Sequence, residues 1–317
     1  MSAIKLYFAG SWPFKTLKGL DVRNKLSSYH YPTQFYDWME ITKENHGYHL
    51  LDSGAFSVWA SGATIDIEKY LSYAKECVKI AKKHNKQLRV VNLDVIPGEV
   101  GKTSSLVLSS KPSDMEIIDK AAAQGYENLC YFIDNGIIPI HVFHQGESFK
   151  WLDKMVEKTD YIGISPANDL SQKQKRRWID RAFNYIEKNN IKVKTHGFAV
   201  FDANTMLSYP WTSCDAATYR LLGAYGQIYL PYGGFKNPDY SRPRVHIFIS
   251  DKHKKNVFFE GKVKELLDES GFAYEDIKSI GSVRAMINAK YFLGLEKWIN
   301  KQKKTNKRKY SQEKLGL

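Results

Sequence analysis

The sequence predicts an α/β architecture, an irregular (β/α)8 TIM-type barrel, and three observations lead there. Eight short apolar runs recur along the first 230 residues, amphipathic stripes separate several of them, and polar residues gather where the runs end. Most of the runs are continuously apolar, the pattern of parallel strands buried on both faces, and not the alternation of a half-exposed sheet. Strand followed by helix, several times over, builds a parallel sheet, and eight strands suit a barrel. A doubly wound open sheet would obey the same spacing.

The runs are IKLYFAG from residue 4, YHLLDSG from 48, LRVVNLDV from 88, IPIHVFHQG from 138, YIGIS from 161, KVKTHGFAV from 192, TSCDAAT from 212 and GQIYLPYG from 226. Between the second and third, Tyr70, Leu71, Ala74, Cys77, Val78 and Ala81 form a helical stripe from Ile67, with Asp66 placed as its cap. SDMEIIDKAAAQG opens with Ser113 and Glu116 in capping-box spacing and reads as ending at Gly125. SQKQKRRWIDRAFNYIEKNN repeats the form with a basic outer face. The interval before TSCDAAT is too short for a full helix, which makes the barrel irregular. Past about residue 245 the texture changes, and GKVKELLDESG and SVRAMINAKYFLGLEKWINKQKK read as helices. The expected division is a catalytic barrel over 1–245 and a small helical extension with a basic tail over 246–317.

With 317 residues, 43% of them hydrophobic and 14% aromatic, the chain has the composition of a globular protein. No apolar run reaches the roughly 18 residues of a membrane span, and MSAIKLYFAGSWPF lacks the charged-then-apolar order of a signal peptide. A soluble, cytoplasmic protein with no membrane partner is expected. Cys77, Cys130 and Cys214 lie 53 and 84 residues apart with no CxxC pair, which argues against a cysteine metal site and a disulfide framework. The net charge of +13 suits a polyanionic partner, since basic side chains displace counterions from a phosphate backbone. Basic groups cluster at Lys173, Lys175, Arg176 and Arg177, at KHKK from 252, and in the tail with Lys303, Lys304, Lys307 and Arg308. A solvated surface accounts for the same charges without a partner.

The polar residues at the run ends carry more information. Asp52 ends the second run, Asp94 the third and Gln145 the fourth; Gly163 and Ser165 end the fifth, His196 and Gly197 interrupt the sixth, and Asp215 ends the seventh. In a barrel those ends share one face, where catalytic groups converge. Each has a plainer reading taken alone. Asp52 with Ser53 and Gly54 makes an Asx-turn or helix cap, Asp94 starts a turn before Pro97 and Gly98, and Gln145 precedes a turn glycine. His196 reads as a hydrogen-bonded core histidine, and Phe56 as core. Asp215 is harder to dismiss, because Ala216 and Ala217 leave room beside it. Two or three carboxylates at one mouth suit cleavage of a glycosidic bond, in which one attacks the anomeric carbon and another moves the proton.

LDSGAF at 51–56 resembles the strand-end motif of the tRNA-guanine transglycosylase superfamily, and DAATY at 215–219 resembles its nucleophile motif. NLDVIPG at 92–98 and VFHQG at 142–146 are placed like its guanine-reading segments, and YIGIS and THGFAV like the two later strand ends that complete the pocket. The order holds from about residue 45 to 220. The resemblance implies Asp215 as nucleophile and Asp52 as general acid/base. It makes Phe56 one stacking face and His196, with Gly197 beside it, the opposite one. Asp94 and Gln145 would hydrogen-bond the base, with the Gly163 backbone nearby and Ser53 part of a turn that lets the backbone approach. No cofactor is implied.

Members that act on tRNA carry a Cys/His zinc subdomain after the nucleophile, whereas no cysteine follows Cys214 here. That departure brings the chain nearer to the DNA-guanine transglycosylases of phages and bacteria (the DpdA type), which exchange guanine in DNA for a 7-deazaguanine. The implied partners are DNA with its target base flipped out and a preQ0-like 7-deazaguanine, in the cytoplasm of a host cell if the chain is phage-borne. The rivals are the same exchange on tRNA and a catalytically silent barrel that binds nucleic acid through its basic surface.

Overall fold

The computed structural model describes residues 3–10, 17, 19–41, 47–100, 102–250 and 260–305. Eight strands form one parallel sheet: β1 (Lys5–Ala9), β2 (Asn24–Ser28), β3 (Tyr48–Asp52), β4 (Gln87–Val90), β5 (His141–His144), β6 (Tyr161–Ser165), β7 (Lys194–Gly197) and β8 (Ser213–Ala216). Their order, β4-β3-β2-β1-β8-β7-β6-β5, is that of a TIM-like barrel. The curled sheet stays open between its edge strands β4 and β5, where one parallel bridge from Val91 to Ile140 stands in place of a ladder. Asn92 N–H donates to Ile140 O, and Ile140 N–H to Val90 O, both at 2.8 Å. The buried Asn92 side chain adds bonds to Gly125 O and His141 Nδ1, so side chains complete what the strands leave unpaired.

Two strand assignments made from sequence need correcting. β2 was not among the apolar runs, because its buried positions include Lys25 and Ser27. Lys25 Nζ donates to Gly10 O at 3.0 Å and Ser27 Oγ bonds His49 Nε2 at 2.6 Å, which makes their burial tolerable. GQIYLPYG, read as the eighth barrel strand, instead supplies β9 (Gln227–Leu230), which pairs antiparallel with β10 (Val245–Phe248) in a separate two-stranded sheet. Its apolar character serves a different core, in which Ile228 and Leu230 meet Ile249, Leu267, Ile277 and Ile287.

The helices flanking the sheet are α1 (Thr33–Ile41), α2 (Ala55–Ser61), α3 (Ile67–Lys83), α4 (Thr103–Val107), α5 (Pro112–Asp134), α6 (Phe149–Val156), α7 (Gln172–Lys188), α8 (Ala203–Ser208) and α9 (Thr218–Ala224). Asp66 caps α3 by accepting from Glu68 N and Lys69 N, and Tyr70, Leu71, Ala74, Cys77 and Ala81 are its buried stripe. Ser171 and Gln174 close a capping box on α7. α5 departs from expectation at both ends. Pro112 occupies its first turn, and the helix runs through Gly125, where a Cβ would lie 3.4 Å from the His141 ring. Gly125 is therefore an interior helix residue within ordinary contact distance of the sheet, and not a helix stop. α8 is only six residues long, as its short interval requires.

Alternate residues of β1 divide between two cores. Leu6 and Phe8 join the large cluster under the helices, with Leu51, Phe143, Ile162 and Ile164, while Tyr7 and Ala9 join a small cluster with Leu26, Leu50, Ile140 and Tyr161. Three further helices follow β10, namely α10 (Glu260–Leu266), α11 (Tyr274–Ser279) and α12 (Gly281–Thr305). α12 returns to the barrel, where Asn300 bonds both Ile4 N and Ile4 O, and Glu296 accepts from Leu6 N at 2.9 Å. These side chains satisfy the start of β1 where β2, whose pairing begins at Phe8, does not reach. Among the described residues, no helix is long and apolar enough to cross a membrane.

Candidate active site

The C-terminal strand ends bring the expected carboxylates together. Asp52, last residue of β3, accepts from Gly54 N at 2.9 Å, so the Asx-turn reading holds. Gly54 sits at φ 80°, and a Cβ there would press on Ser28 Oγ and His30. Only glycine satisfies both constraints, which explains the turn after the buried run. The turn does not exhaust the role of Asp52. Burial, reinforced by the negative charges of Asp94 and Asp215, pushes its carboxyl up to about 7, against the pull of the Gly54 N–H. A carboxyl in that state can donate a proton near neutrality and take it back.

Asp94 follows the Val91 bridge and is fixed from two sides. Its Oδ1 accepts from Ser53 Oγ at 3.3 Å and its Oδ2 contacts His144 Nε2 at 2.9 Å. The other ring nitrogen of His144 lies 2.9 Å from Glu147 Oε1. Burial works against a charge on His144, but the bonds to Asp94 and Glu147 overcome it and hold the imidazole up at about 10. Burial raises Glu147, and His144 opposes that shift. Sequence reading missed both residues. They flank Gln145 in VFHQGE, and two titratable side chains three residues apart around a strand end were the available signal.

Asp215, on β8, is buried and has a different setting. Its Oδ1 accepts from Ala199 N at 2.8 Å, and His196 Nε2 lies 3.4 Å away. Ala199 adopts φ 53°, a left-handed conformation uncommon for a non-glycine residue and frequent at functional sites. His196 Nδ1 bonds Ser213 Oγ at 2.6 Å, and that hydroxyl bonds Tyr161 OH at 2.5 Å. If Tyr161 donates to Ser213 and Ser213 to Nδ1, the ring proton sits on Nε2 and faces the carboxylate. The reverse direction would set two lone pairs against each other. His196 is thus a fully buried support beneath Asp215, not the exposed wall for a base that the resemblance implied.

A cavity of about 160 Å³ opens beside this cluster, lined by Phe56, Trp59, Ile96, Pro97, His144, Gln145 and Ala167 among others. Phe56 is half exposed, and its ring centroid lies 5.8 Å from that of Trp59, tilted by 41°. Gln145 Oε1 accepts from Ala167 N, which leaves its amide NH2 as a donor. Asp52, Asp94 and Asp215 do not line this cavity, and His144 links the two. The two glycines have packing reasons. A Cβ on Gly163 would overlap the Phe198 ring, and one on Gly197 would meet Val200 and Cys214.

Of the basic residues, Lys173 and Arg177 are exposed on α7. Lys175 donates to Asn168 O and Arg176 to Ser208 Oγ, both at 2.9 Å. Lys303 is half-buried, with Nζ 3.2 Å from Tyr209 O. Lys304 belongs to the last turn of α12, whereas Lys307, Arg308 and the KHKK run lie outside the described residues. Among the described residues, no group of three His, Cys, Asp or Glu is arranged to hold a metal ion. No family model and no curated protein matches this chain.

Proposed function

We propose that this irregular (β/α)8 barrel, with its helical extension and basic tail, is a DNA-guanine transglycosylase that exchanges guanine for a preQ0-like 7-deazaguanine. The observation that carries the reading is the Asp52 carboxyl, raised to about 7 within the fields of Asp94 and Asp215 at the same strand ends. Two carboxylates in unlike settings divide the labour of proton donor and nucleophile.

Asp215 Oδ2 attacks C1′ of the deoxyribose while the bond from C1′ to guanine N9 breaks and its electron pair goes to N9. Asp52 supplies the proton to the departing base. The positive charge that develops on the sugar is stabilised by the nearby carboxylates. In the second half the incoming N9–H gives its proton to Asp52, N9 attacks C1′, and Asp215 leaves, with net retention. One N-glycosidic bond replaces another, so no external energy source is required. A duplex substrate must present the base flipped out, and Phe56, Trp59 and the Gln145 donor supply stacking and an edge contact beside the carboxylates. The exposed Lys173 and Arg177 suit the phosphate backbone.

Covalent trapping tests the proposal. Wild-type protein incubated with a guanine-containing DNA oligonucleotide and denatured should give a protein–DNA adduct, and Asp215→Asn none. Trapping by the variant at the wild-type level would reject Asp215 as nucleophile.

A further inference from the structure

His144 and Glu147 have no role in that scheme, yet both are buried, and with Asp94 they form a continuous ionisable chain. Both ring nitrogens of His144 point at carboxylate oxygens, each at 2.9 Å. A neutral imidazole has one N–H, so one contact would set a lone pair against an oxygen unless a carboxyl brought its own proton. With both carboxylates ionised, only the imidazolium satisfies the pair. The groups facing this chain are Asp94, which ends the segment after β4, and Glu147, which follows β5. His141 lies on β5 itself and Asp52 on β3. His141 is driven down to about 3 by burial, remains neutral, and so does not compete for the charge.

We propose that His144, clamped between Asp94 and Glu147, is a positioning residue that assigns the proton within the Asp94 and Asp52 pair, leaving Asp94 as the ionised acceptor and Asp52 as the acid. An imidazolium against Asp94 Oδ2 stabilises its anion, and the anion, close enough to act on Asp52, disfavours a second negative charge there. Glu147 completes the arrangement by balancing the charge that burial would otherwise remove. The Ser53 hydroxyl on Asp94 Oδ1 holds the carboxylate's plane. The role in catalysis rests on the transglycosylase reading, but the assignment of protons is a property of the protein alone.

The test is therefore made first on the free protein. Nitrogen-15 NMR of the histidine rings should find His144 doubly protonated at about pH 8, where an ordinary histidine is neutral. A neutral His144 at that pH, with the proton on Glu147, would overturn the inference. Carboxyl carbon-13 titration supplies the second arm. Asp94→Asn should lower the Asp52 midpoint by about one pH unit or more. An unmoved Asp52 in that variant would equally overturn it. Glu147→Gln is read by the His144 ring shift, whose midpoint should fall. An absence of base exchange alongside the expected titrations would reject the enzyme reading and leave the clamp standing.

Discussion

The two sides of the barrel mouth hold carboxylates by different means. On the β3 to β5 side, Asp52 and Asp94 share their surroundings with His144 and Glu147, so the protonation of Asp52, His144 and Glu147 depends on their neighbours' charges. On the β7 to β8 side, Asp215 is held by a main-chain N–H from the strained Ala199, and His196, itself held by Ser213, lies 3.4 Å away. The first side is suited to moving a proton, because small changes in charge redistribute it. The second is suited to presenting one oxygen in one place, because a main-chain hydrogen bond of defined direction holds the other.

Removing each side's central carboxylate should produce the largest effects. Asp215→Asn should lower base exchange by at least about 10³-fold and Asp52→Asn by about 10²- to 10⁴-fold, measured as labelled guanine released from DNA. The two should part company in stability. Asp52 has an ordinary value of 3.8 and is held at about 7 in the fold, so the folded state binds the extra proton between those values. Stability therefore falls as pH rises from about 4 to about 7. Asp52→Asn removes that loss and should stabilise the protein by roughly 1–3 kcal/mol at about pH 8, read from urea denaturation. A destabilised Asp52→Asn at that pH would contradict the burial argument.

His144 works with the opposite consequence. Its folded value of about 10 lies above the ordinary 6.5, so its contribution is complete below about 6.5 and is lost as pH rises through about 10. His144→Ala leaves Asp94 and Glu147 buried without a counter-charge and should cost about 3 kcal/mol at neutral pH. The smallest effect belongs to the other side. Ser213→Ala deletes the link between Tyr161 and His196 and should cost about 1 kcal/mol, with a stability profile whose pH dependence is unchanged. A pH-dependent loss in that variant would mean that the two sides are not as different as their contacts indicate.

The sequence made the alternation of strands and helices legible because most barrel strands are continuously apolar. β2 escaped because a buried lysine and serine, satisfied by Gly10 O and His49, look like loop residues until their partners are known. β9 misled for the converse reason, since an apolar strand does not declare which core it enters. At the site, Asp52, Asp94, Gln145 and Asp215 could be found because they lie at or just beyond the ends of apolar runs. His144 and Glu147 offered only their spacing around the end of β5, because their meaning lies in contacts with each other and with Asp94 beyond β4. His196 illustrates a third limit: its position at a strand end was readable, but the direction of its ring, inward beneath Asp215, is set by Ser213 on the neighbouring strand.

The most direct measurement is mass analysis of nucleosides after incubating the pure protein with guanine-containing DNA and preQ0, beside a parallel incubation with unmodified tRNA. The account predicts a 7-deazaguanine deoxynucleoside in the DNA incubation, absent with Asp215→Asn. A modified ribonucleoside alone would transfer the chemistry to tRNA, and unchanged nucleosides in both, with binding indifferent to Asp52 and Asp215, would contradict it.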